Sequence, residues 1–430
     1  MNFLGAHSVQ QFVAQDPHLR ALSALKYQYR STWWQALNLT IPGVYILTGG
    51  RQVGKSTSCK LLIQHCLEAQ HFSSQSIYYL SCDEIFDATT FSQKLRTFLD
   101  AQDLKPFLCI IDEVTYVPHW DRVIKALADE GRFTQGICIL TGSDTLILKE
   151  AAMRFPGRRG IADQTDFHVY PLTFREYVQL IHAVEGEGMK PLSEHFQNYL
   201  ICGGYLRAIN DLAAQGKIQP ATFLTYEQWV RGDFLKQNRQ EYLLKNVVRA
   251  LIKNGVSQVS YSTLTDNAGD ISKETCIQYC TLLERMDILF DLQAFDHNTR
   301  QGFPKKARKF HFVDPFIFET LTRWLHRENI LTGEFPVAYR VESCVASHCY
   351  RYSLGNAFYF KGQQGEVDVI FLKDQQVFAV EVKWSGQVRP NDSKALTQFK
   401  NAKILNRQAS PGIFQGVQIQ PVWEFLYGLV

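Results

Sequence analysis

A glycine-rich segment near the N-terminus has the residue types and spacing of a phosphate-binding loop. It fits the pattern G-x-x-x-x-G-K-[ST] and consists of Gly49, Gly50, Arg51, Gln52, Val53, Gly54, Lys55 and Ser56, followed by Thr57. Glycines let the backbone close around phosphate oxygens, and the N–H groups of the loop and of a following helix attract the anion. Lys55 would reach the β- and γ-phosphates, and the Ser56 hydroxyl would join the Mg²⁺ shell. The segment therefore predicts a site for ATP with Mg²⁺.

Polar side chains follow two apolar runs further along the chain. Residues 107–111 are all apolar, and Asp112 and Glu113 come directly after them. Because ligands bind at the carboxyl ends of strands in open α/β sheets, we expect Asp112 to hold Mg²⁺, partly through water. Glu113 would polarise the attacking water. A later run ends at Ser143, which we expect to contact the γ-phosphate or the water, although a simple turn explains this serine as well.

A second group of acids lies in the last hundred residues. Asp368 lies in the run GEVDVI, and Glu381 and Lys383 lie in VFAVEVKW, so that Glu381 follows Asp368 by thirteen residues. Alternation in a strand places Glu381 and Lys383 on one face. Two neighbouring carboxylates repel, which favours a shared divalent cation, Mg²⁺ or Mn²⁺. Lys383 would position a water or stabilise developing charge. The alternative is a half-exposed hairpin with ordinary surface charges.

A basic loop over residues 300–309 contains five basic residues and no acid. We expect four of them to contact nucleic-acid phosphates: Lys305, Lys306, Arg308 and Lys309. Such contacts raise affinity without reading sequence, and salt weakens them. A solvated hairpin tip, or a face that docks an acidic partner, would explain the same composition.

The elements that must position these residues follow from the apolar pattern. Four β-rich runs, at 44–49, 76–82, 107–112 and 136–142, alternate with helical patterns. Continuous apolar strands separated by helices indicate a parallel sheet that is covered on both faces. Residues 246–325 show three helices and then two β-like runs joined by the basic loop, which is the order of a winged helix-turn-helix.

The motifs occur in an order that resembles the prokaryotic AAA-type ATPases with a C-terminal restriction-endonuclease-like domain. The segments that carry the resemblance after the nucleotide motifs are Gly142-Ser143, Gly157-Arg158 and Pro171–Tyr177 (PLTFREY). The resemblance implies that Arg158 acts as an arginine finger or phosphate sensor. Arg154 or Arg159 could take that role, and a solvated basic loop would also explain these arginines. The G-G-x-P segment of the family's helical lid is matched by Gly203-Gly204-Tyr205-Leu206, with leucine in place of proline.

The C-terminal acids resemble the PD-(D/E)XK nuclease signature, with Asp368 as its first acid and Glu381 and Lys383 as its E-x-K. Glu342 fits the acid that such domains carry on the helix before the hairpin. The resemblance implies a metal site formed by Glu342, Asp368 and Glu381, in a nuclease-like domain that is either active or vestigial.

The predicted architecture is an α/β multidomain protein. It comprises an N-terminal helical segment (1–40), a P-loop AAA-type ATPase core with a parallel sheet flanked by helices (41–185), a helical lid (186–245), a winged helix-turn-helix (246–325) and a restriction-endonuclease-like α/β domain (326–430).

Composition narrows the class of protein. The chain has 430 residues, 46% of them hydrophobic, with 45 Lys+Arg against 42 Asp+Glu. These values exclude a disordered or fibrous chain and a histone-like polycation. No apolar run reaches the roughly 20 residues that span a bilayer, so we expect no membrane association. The ten cysteines form no C-x-x-C pair, which indicates buried free thiols in a reducing cytoplasm.

The sequence therefore predicts a cytoplasmic protein that binds ATP, hydrolyses it, associates with DNA and carries a metal-dependent nuclease-like domain. The alternative is a nucleotide-gated regulator or scaffold that binds a protein partner through its C-terminal domains and does not cut nucleic acid. A P-loop kinase for a small molecule is a third reading, against which the acid pair and the long C-terminal extension argue. A homo-oligomer stays open, because Arg158 could act in cis or in trans.

Overall fold

The computed structural model describes residues 9–31, 33–102, 105–142, 147–148, 157–186, 190–385, 387–408 and 411–429. The chain divides into two compact units, Met1–Tyr170 and Pro171–Val430. Ser143 and Arg154, which the sequence marks as candidates for contacts with the phosphates, lie outside the described residues.

The first unit is built on a five-stranded parallel sheet with the strand order β2-β3-β4-β1-β5. Its strands are β1 (Gly43–Thr48), β2 (Ile77–Ser81), β3 (Phe107–Asp112), β4 (Gly136–Thr141) and β5 (Asp166–His168). Every residue of β1, β3 and β4 is buried, because helices cover both faces of such a sheet and leave no polar face. The predicted parallel sheet is confirmed.

Among the described residues of this unit, the following helices accompany the sheet: α1 (Val9–Gln15), α2 (Pro17–Ser23), α3 (Lys55–Glu68), α4 (Ala88–Asp100) and α5 (Trp120–Asp129). Asp16 caps α2 by accepting hydrogen bonds from the N–H groups of His18 and Leu19 at 2.9 and 3.1 Å. Helix α3 begins at Lys55, directly after Gly54 of the phosphate-binding loop, so the N–H groups of its first turn lie next to that loop.

The second unit begins with a group of helices: α6 (Phe174–Glu185), α7 (Leu192–Cys202), α8 (Leu206–Gln215), α9 (Pro220–Lys236), α10 (Glu241–Asn254), α11 (Tyr261–Ala268) and α12 (Lys273–Arg285). Thr173 and Glu176 form a capping box at the start of α6. Ser272 caps α12 and accepts a hydrogen bond from the Thr275 N–H at 3.1 Å.

A ten-stranded sheet forms the rest of the second unit, in the order β14-β15-β13-β12-β11-β10-β7-β9-β6, with β8 paired to β7. The strands are β6 (Gln258–Val259), β7 (Leu289–Asp296), β8 (Gln301–Phe303), β9 (Arg308–Phe312), β10 (Ala357–Gly362), β11 (Gly365–Lys373), β12 (Gln376–Lys383), β13 (Asn401–Asn406), β14 (Gly412–Phe414) and β15 (Val417–Pro421). The remaining helices of its described residues are α13 (Pro315–Arg327), α14 (Val337–Tyr352), α15 (Pro390–Lys394) and α16 (Val422–Gly428).

The boundary predicted between residues 325 and 326 does not separate two sheets. It falls inside α13, and β7 pairs in parallel with β10 at Gln293 and Phe358. Strand β7 pairs with β9 on one side and with β10 on the other, so strands from both sides of the predicted boundary belong to one sheet.

Two general features concern the whole described chain. None of its described helices combines the length and the hydropathy that crossing a bilayer requires. All ten cysteines are buried and carry free thiols, as the sequence predicts.

Candidate functional site

Lys55 lies across the phosphate-binding loop. Its ammonium donates hydrogen bonds to the carbonyl oxygens of Gly49 and Gly50, both at 2.8 Å, and the residue is buried. Gln52 and Gly54 adopt left-handed backbone conformations, with φ of 63° and 91°. Such reversals make backbone N–H groups converge on one point, which suits an anion. The donor set between β1 and α3 therefore fits a polyphosphate.

Gly49 is required by the close approach of two strands. Its φ is 146°, and a Cβ built on it would lie 2.3 Å from the carbonyl oxygen of Val169. That approach is fixed by the hydrogen bond from the Val169 N–H to the Thr48 carbonyl at 2.9 Å. Any larger residue would push the loop away from β5.

The acid pair lies at the end of β3, which β4 separates from β1. The Asp112 carboxylate is buried and accepts hydrogen bonds from the hydroxyls of Tyr79 and Thr141. Glu113 has a φ of 52°, and its N–H donates to the Thr141 hydroxyl at 3.2 Å. A residue other than glycine rarely adopts the left-handed backbone conformation, and residues that do so are often found at functional sites. The Asp112 carboxylate and the Ser56 hydroxyl are oxygen ligands of the kind Mg²⁺ takes, so the residues fit this ion.

Three residues behind Asp112 escaped the sequence analysis. The Lys60 ammonium is 3.2 Å from Asp16 Oδ2 and 3.3 Å from the centroid of the Tyr79 ring, whose hydroxyl bonds Asp112. Burial lowers the pKa of Lys60, and the Asp16 carboxylate opposes that shift. The one signal for this contact is a lysine inside the apolar run CKLLI.

The candidate arginines differ in what they contact. Arg158 forms an ion pair with Asp129 at the end of α5. The Arg159 guanidinium bonds Asp166 at 2.9 Å and the carbonyl of Val44 at 3.3 Å. Arg159 thus holds the start of β1 to β5, which is a structural role, whereas the arginine-finger role of Arg158 stays a prediction.

In the second unit, the structure brings the four predicted C-terminal residues together. The Asp368 N–H donates to Glu381 Oε2 at 3.3 Å, and the Lys383 ammonium is 2.6 Å from Glu381 Oε1. Asp368 Oδ2 also accepts a hydrogen bond from the Val382 N–H at 2.9 Å. Glu342, on α14, joins the group through a shared contact with Lys309, because Glu342 Oε1 and Asp368 Oδ1 each lie 3.0 Å from its ammonium.

Lys309 corrects one expectation from the basic loop. It is buried among carboxylates and is not available as an exposed contact for phosphates. Lys309 lies inside β9, where the side chains of successive residues point to opposite faces of the sheet. The preceding residue, Arg308, forms an ion pair with Asp291 at 2.7 Å. Lys305 and Lys306, in the turn between β8 and β9, are exposed.

The electrostatics of this cluster reflect burial. Burial and then the charge of Asp368 raise the pKa of Glu342 and of Glu381, each to about 8. Burial also acts on Asp368, but the Lys309 ammonium and the Val382 N–H outweigh it and lower the pKa of Asp368. Burial opposes the charge of Lys309, yet Asp368 and Glu342 hold the pKa of Lys309 well above its ordinary value. Asp368 and Lys309 are thus the most firmly ionised pair of the cluster.

The predicted C-terminal metal ligands do not fit a divalent ion in this arrangement. Among the described residues, no group of three or more His, Cys, Asp or Glu side chains is arranged so that it could hold a metal ion. The position between Glu342 and Asp368 contains the Lys309 ammonium.

The PLTFREY segment and the paired glycines meet within the second unit. The Leu172 N–H donates to the Gly204 carbonyl at 2.9 Å, and the Gly204 N–H donates to Asp314 Oδ2 at 2.8 Å. The Phe174 N–H donates to His348 Nε2 at 2.9 Å. Burial lowers the pKa of His348 to about 3, so the ring is neutral and Nε2 can accept this bond. The PLTFREY segment and the paired glycines therefore have a structural role, because their contacts join the start of α6 to the residues around Asp314 and His348.

Leu206, where the resembling family has proline, is the first residue of α8. The first helical position accepts proline because its N–H has no partner within the helix. Leucine at this position therefore leaves the start of the helix intact.

Comparison with known proteins agrees with the geometry of the first unit. Residues 42–178 match the family model described as an AAA domain. Over these residues the chain is similar to AAA domains, and the phosphate-binding loop lies within the matched range. Residues 193–328 and 340–420 match two further models, each described as a domain of unknown function (DUF8612 and DUF4143).

Relatives of similar length exist in a bacterium and an archaeon. An uncharacterized protein of Haemophilus influenzae is 24% identical over 374 residues, 83% of this chain and 86% of the relative. An uncharacterized protein of Methanocaldococcus jannaschii is 23% identical over 418 residues, 89% of this chain and 82% of the relative.

Two solved structures are similar to this chain at low sequence identity. A Walker-type ATPase of Pyrococcus abyssi has a TM-score of 0.45 and 13% identity, covering 75% of this chain and 99% of its own. The ORC2 protein of Aeropyrum pernix has a TM-score of 0.40 and 12% identity, covering 70% of this chain and 92% of its own. The assignment of the AAA-type domain therefore depends on the family match and on the loop geometry.

Proposed function

We propose that this protein binds and hydrolyses ATP in its first unit and uses the nucleotide state to control DNA association by its second unit. The observation that carries the proposal is the buried Lys55 ammonium across the Gly49–Gly54 loop, with Asp112 at the end of β3 in the same sheet. The AAA-type match over residues 42–178 supports it.

In this mechanism the side chains around the loop act on the phosphates and the attacking water. Lys55 exchanges its two carbonyl contacts for phosphate oxygens and stabilises the charge that spreads over the transferred group. The Tyr79 and Thr141 hydroxyls hold the Asp112 carboxylate in one orientation, and Glu113 orients the water. Bound Mg²⁺ would be held through Ser56 and Asp112, and it would neutralise charge on the β- and γ-phosphates.

The test is ATP binding and turnover by Lys55→Ala, with Lys94→Ala as the matched control. Lys94 is an exposed lysine of α4 in the same unit. We expect Lys55→Ala to lose binding of a fluorescent ATP analogue and to lose turnover, whereas Lys94→Ala keeps both. Equal turnover by the two variants would contradict the proposal.

The DNA-binding part of the proposal is supported by element order and by exposed charge. The order α10-β6-α11-α12-β7-β8-β9, with β6 and β7 both paired to β9, agrees with the order expected of a winged helix. Lys305 and Lys306 are exposed at the turn that would form its wing. Phosphate contacts from such a turn are independent of sequence and sensitive to salt.

A binding experiment tests this part separately. We expect the double variant Lys305→Glu/Lys306→Glu to bind a labelled DNA duplex more weakly in fluorescence anisotropy and to show a smaller salt dependence. The matched control is Lys217→Glu, at an exposed lysine between α8 and α9. Unchanged affinity of the double variant for DNA would show that Lys305 and Lys306 do not contact DNA and would contradict this part of the proposal.

A nucleotide-gated regulator that binds a protein partner is the second candidate. The contact of Lys309 with the C-terminal carboxylates favours this candidate. A domain without a metal site can still recognise a partner. It lacks, however, the cation on which phosphodiester cleavage by a restriction-endonuclease-like fold depends.

A further inference from the structure

The C-terminal carboxylates are held by a lysine that comes from a distant part of the sequence. Lys309 lies in β9, whereas Glu342 lies in α14 and Asp368 in β11. Its ammonium is 3.0 Å from an oxygen of each of these two acids and 2.7 Å from Glu366 Oε1. An ammonium has three N–H donors, so each of the three carboxylates can receive one of them.

The backbone of Lys309 leaves this side chain little freedom to move away. Lys309 pairs with Gln258 on β6 and with Leu292 on β7, so it lies in the middle one of three strands. Its side chain is 3% exposed. Withdrawal of the ammonium would leave either the lysine or its carboxylates buried without partners, which is unfavourable.

A divalent cation and this ammonium compete for the same oxygens. Mg²⁺ requires oxygen ligands at about 2.0–2.1 Å in octahedral geometry. An ion bound to Glu342 and Asp368 would need the volume in which the Lys309 ammonium lies, and two cations at that separation repel each other. The Lys383 ammonium already contacts Glu381 Oε1 at 2.6 Å.

We infer that Lys309 is the resident cation of this carboxylate cluster and that the C-terminal domain binds no catalytic divalent metal. The inference rests on the restriction-endonuclease-like fold that the sequence predicts for β11 and β12, and it is independent of the ATP site. Its consequence is that the domain acts by binding and not by metal-dependent cleavage of phosphodiesters.

The experiment is a titration of the full chain with Mn²⁺ in the absence of nucleotide, with free Mn²⁺ measured by electron paramagnetic resonance. Wild type and Asp368→Asn are expected to give the same binding curve. Lys309→Ala removes the ammonium and is expected to bind Mn²⁺ at least about tenfold more tightly, the scale on which groups around a metal site change affinity. Lys309→Ala/Asp368→Asn should lose that gain, and Lys94→Ala should match the wild type.

Two results would overturn the inference. The first is wild-type protein that binds one Mn²⁺ at least about tenfold more tightly than Asp368→Asn does. The second is a folded Lys309→Ala variant with no gain in Mn²⁺ affinity. If Lys309→Ala does not fold, the comparison of wild type with Asp368→Asn decides alone. ATP binding by the same samples reports on the first unit, so failure of the ATP proposal is recognised separately.

Discussion

At the scale of single residues, the first unit contains a chain of buried polar contacts that leads from the N-terminal helices to the acid of β3. Asp16 caps α2 and pairs with Lys60, and Lys60 lies over the ring of Tyr79. The Tyr79 hydroxyl then bonds the Asp112 carboxylate. Burial of such a pair gives little net stability, but removal of one partner leaves an uncompensated charge.

We therefore predict that Lys60→Met lowers the unfolding free energy of the first unit by about 3–5 kcal/mol, because Asp16 stays buried and unpaired. Asp16→Asn/Lys60→Met should regain part of this loss, since asparagine still caps α2. Amide hydrogen exchange in α3 measures both values. Lys94→Met is the control at an exposed position, and a Lys60→Met variant as stable as this control would contradict the account.

Asp314 is a second residue whose ionisation is tied to the fold. It is buried at the start of α13 and accepts hydrogen bonds from the N–H groups of Gly204 and Phe316, both at 2.8 Å. Burial raises the pKa of Asp314 to about 6, well above its ordinary value, while the Gly204 N–H and Arg351 oppose the shift. The folded state therefore binds this proton more tightly than the unfolded state does.

The sign of the resulting pH dependence follows from linkage. The contribution of Asp314 to stability is fully present below about pH 4 and is lost as the pH rises through about 6, by roughly 3 kcal/mol. Asp314→Asn removes this titration. We predict that the difference in unfolding free energy between wild type and Asp314→Asn falls across this window in denaturant titrations. A constant difference from pH 4 to 7 would be evidence against the assignment.

At the scale of elements, the junction between the PLTFREY segment and α13 depends on a glycine. A Cβ on Gly204 would lie 2.1 Å from the carbonyl oxygen of Leu172. That atom is backbone and cannot rotate away, and Leu172 is itself bonded to Gly204 through its N–H. The position thus tolerates no side chain without a shift of the segment before α6.

We predict that Gly204→Ala lowers the unfolding free energy of the second unit by about 1–3 kcal/mol or more. The matched control is Gly232→Ala, inside α9, where a Cβ meets no atom within 4 Å. This control should raise stability by about 0.5–1 kcal/mol, because alanine is the better helix former. Thermal unfolding followed by circular dichroism compares the two. Equal effects of the two alanines would contradict the steric argument.

Local patterns predict much of the site but not its long-range contacts. The phosphate loop between β1 and α3, the acids at the end of β3 and the pairing of Asp368 with Glu381 follow from period and spacing, and the structure places them accordingly. Lys309 lies 33 residues from Glu342 and 59 from Asp368 in the sequence. A basic run gives no sign that one of its lysines enters a carboxylate cluster, because that contact depends on strand register across the sheet.

At the scale of the whole molecule, the strands of the predicted winged helix and those of the predicted nuclease-like domain share one sheet. Strand β7 contributes one edge to β9 and the other to β10. The side chain of Lys309, in β9, also contacts residues beyond the predicted boundary, namely Glu342 in α14 and Asp368 in β11. The sequence predicts two separate domains here, because the segments before and after residue 325 each have their own apolar pattern. Pairing between strands that are distant in the sequence joins both segments in one compact unit.

The measurement that tests the central claim most directly is steady-state ATP turnover with and without a DNA duplex. It would compare wild type, Lys55→Ala and Lys305→Glu/Lys306→Glu. The account predicts turnover that DNA increases in wild type, no turnover in Lys55→Ala, and turnover without stimulation in the double variant. A wild-type rate that depends on Lys55 but is unchanged by DNA would contradict the link to DNA and favour a regulator that binds a protein partner.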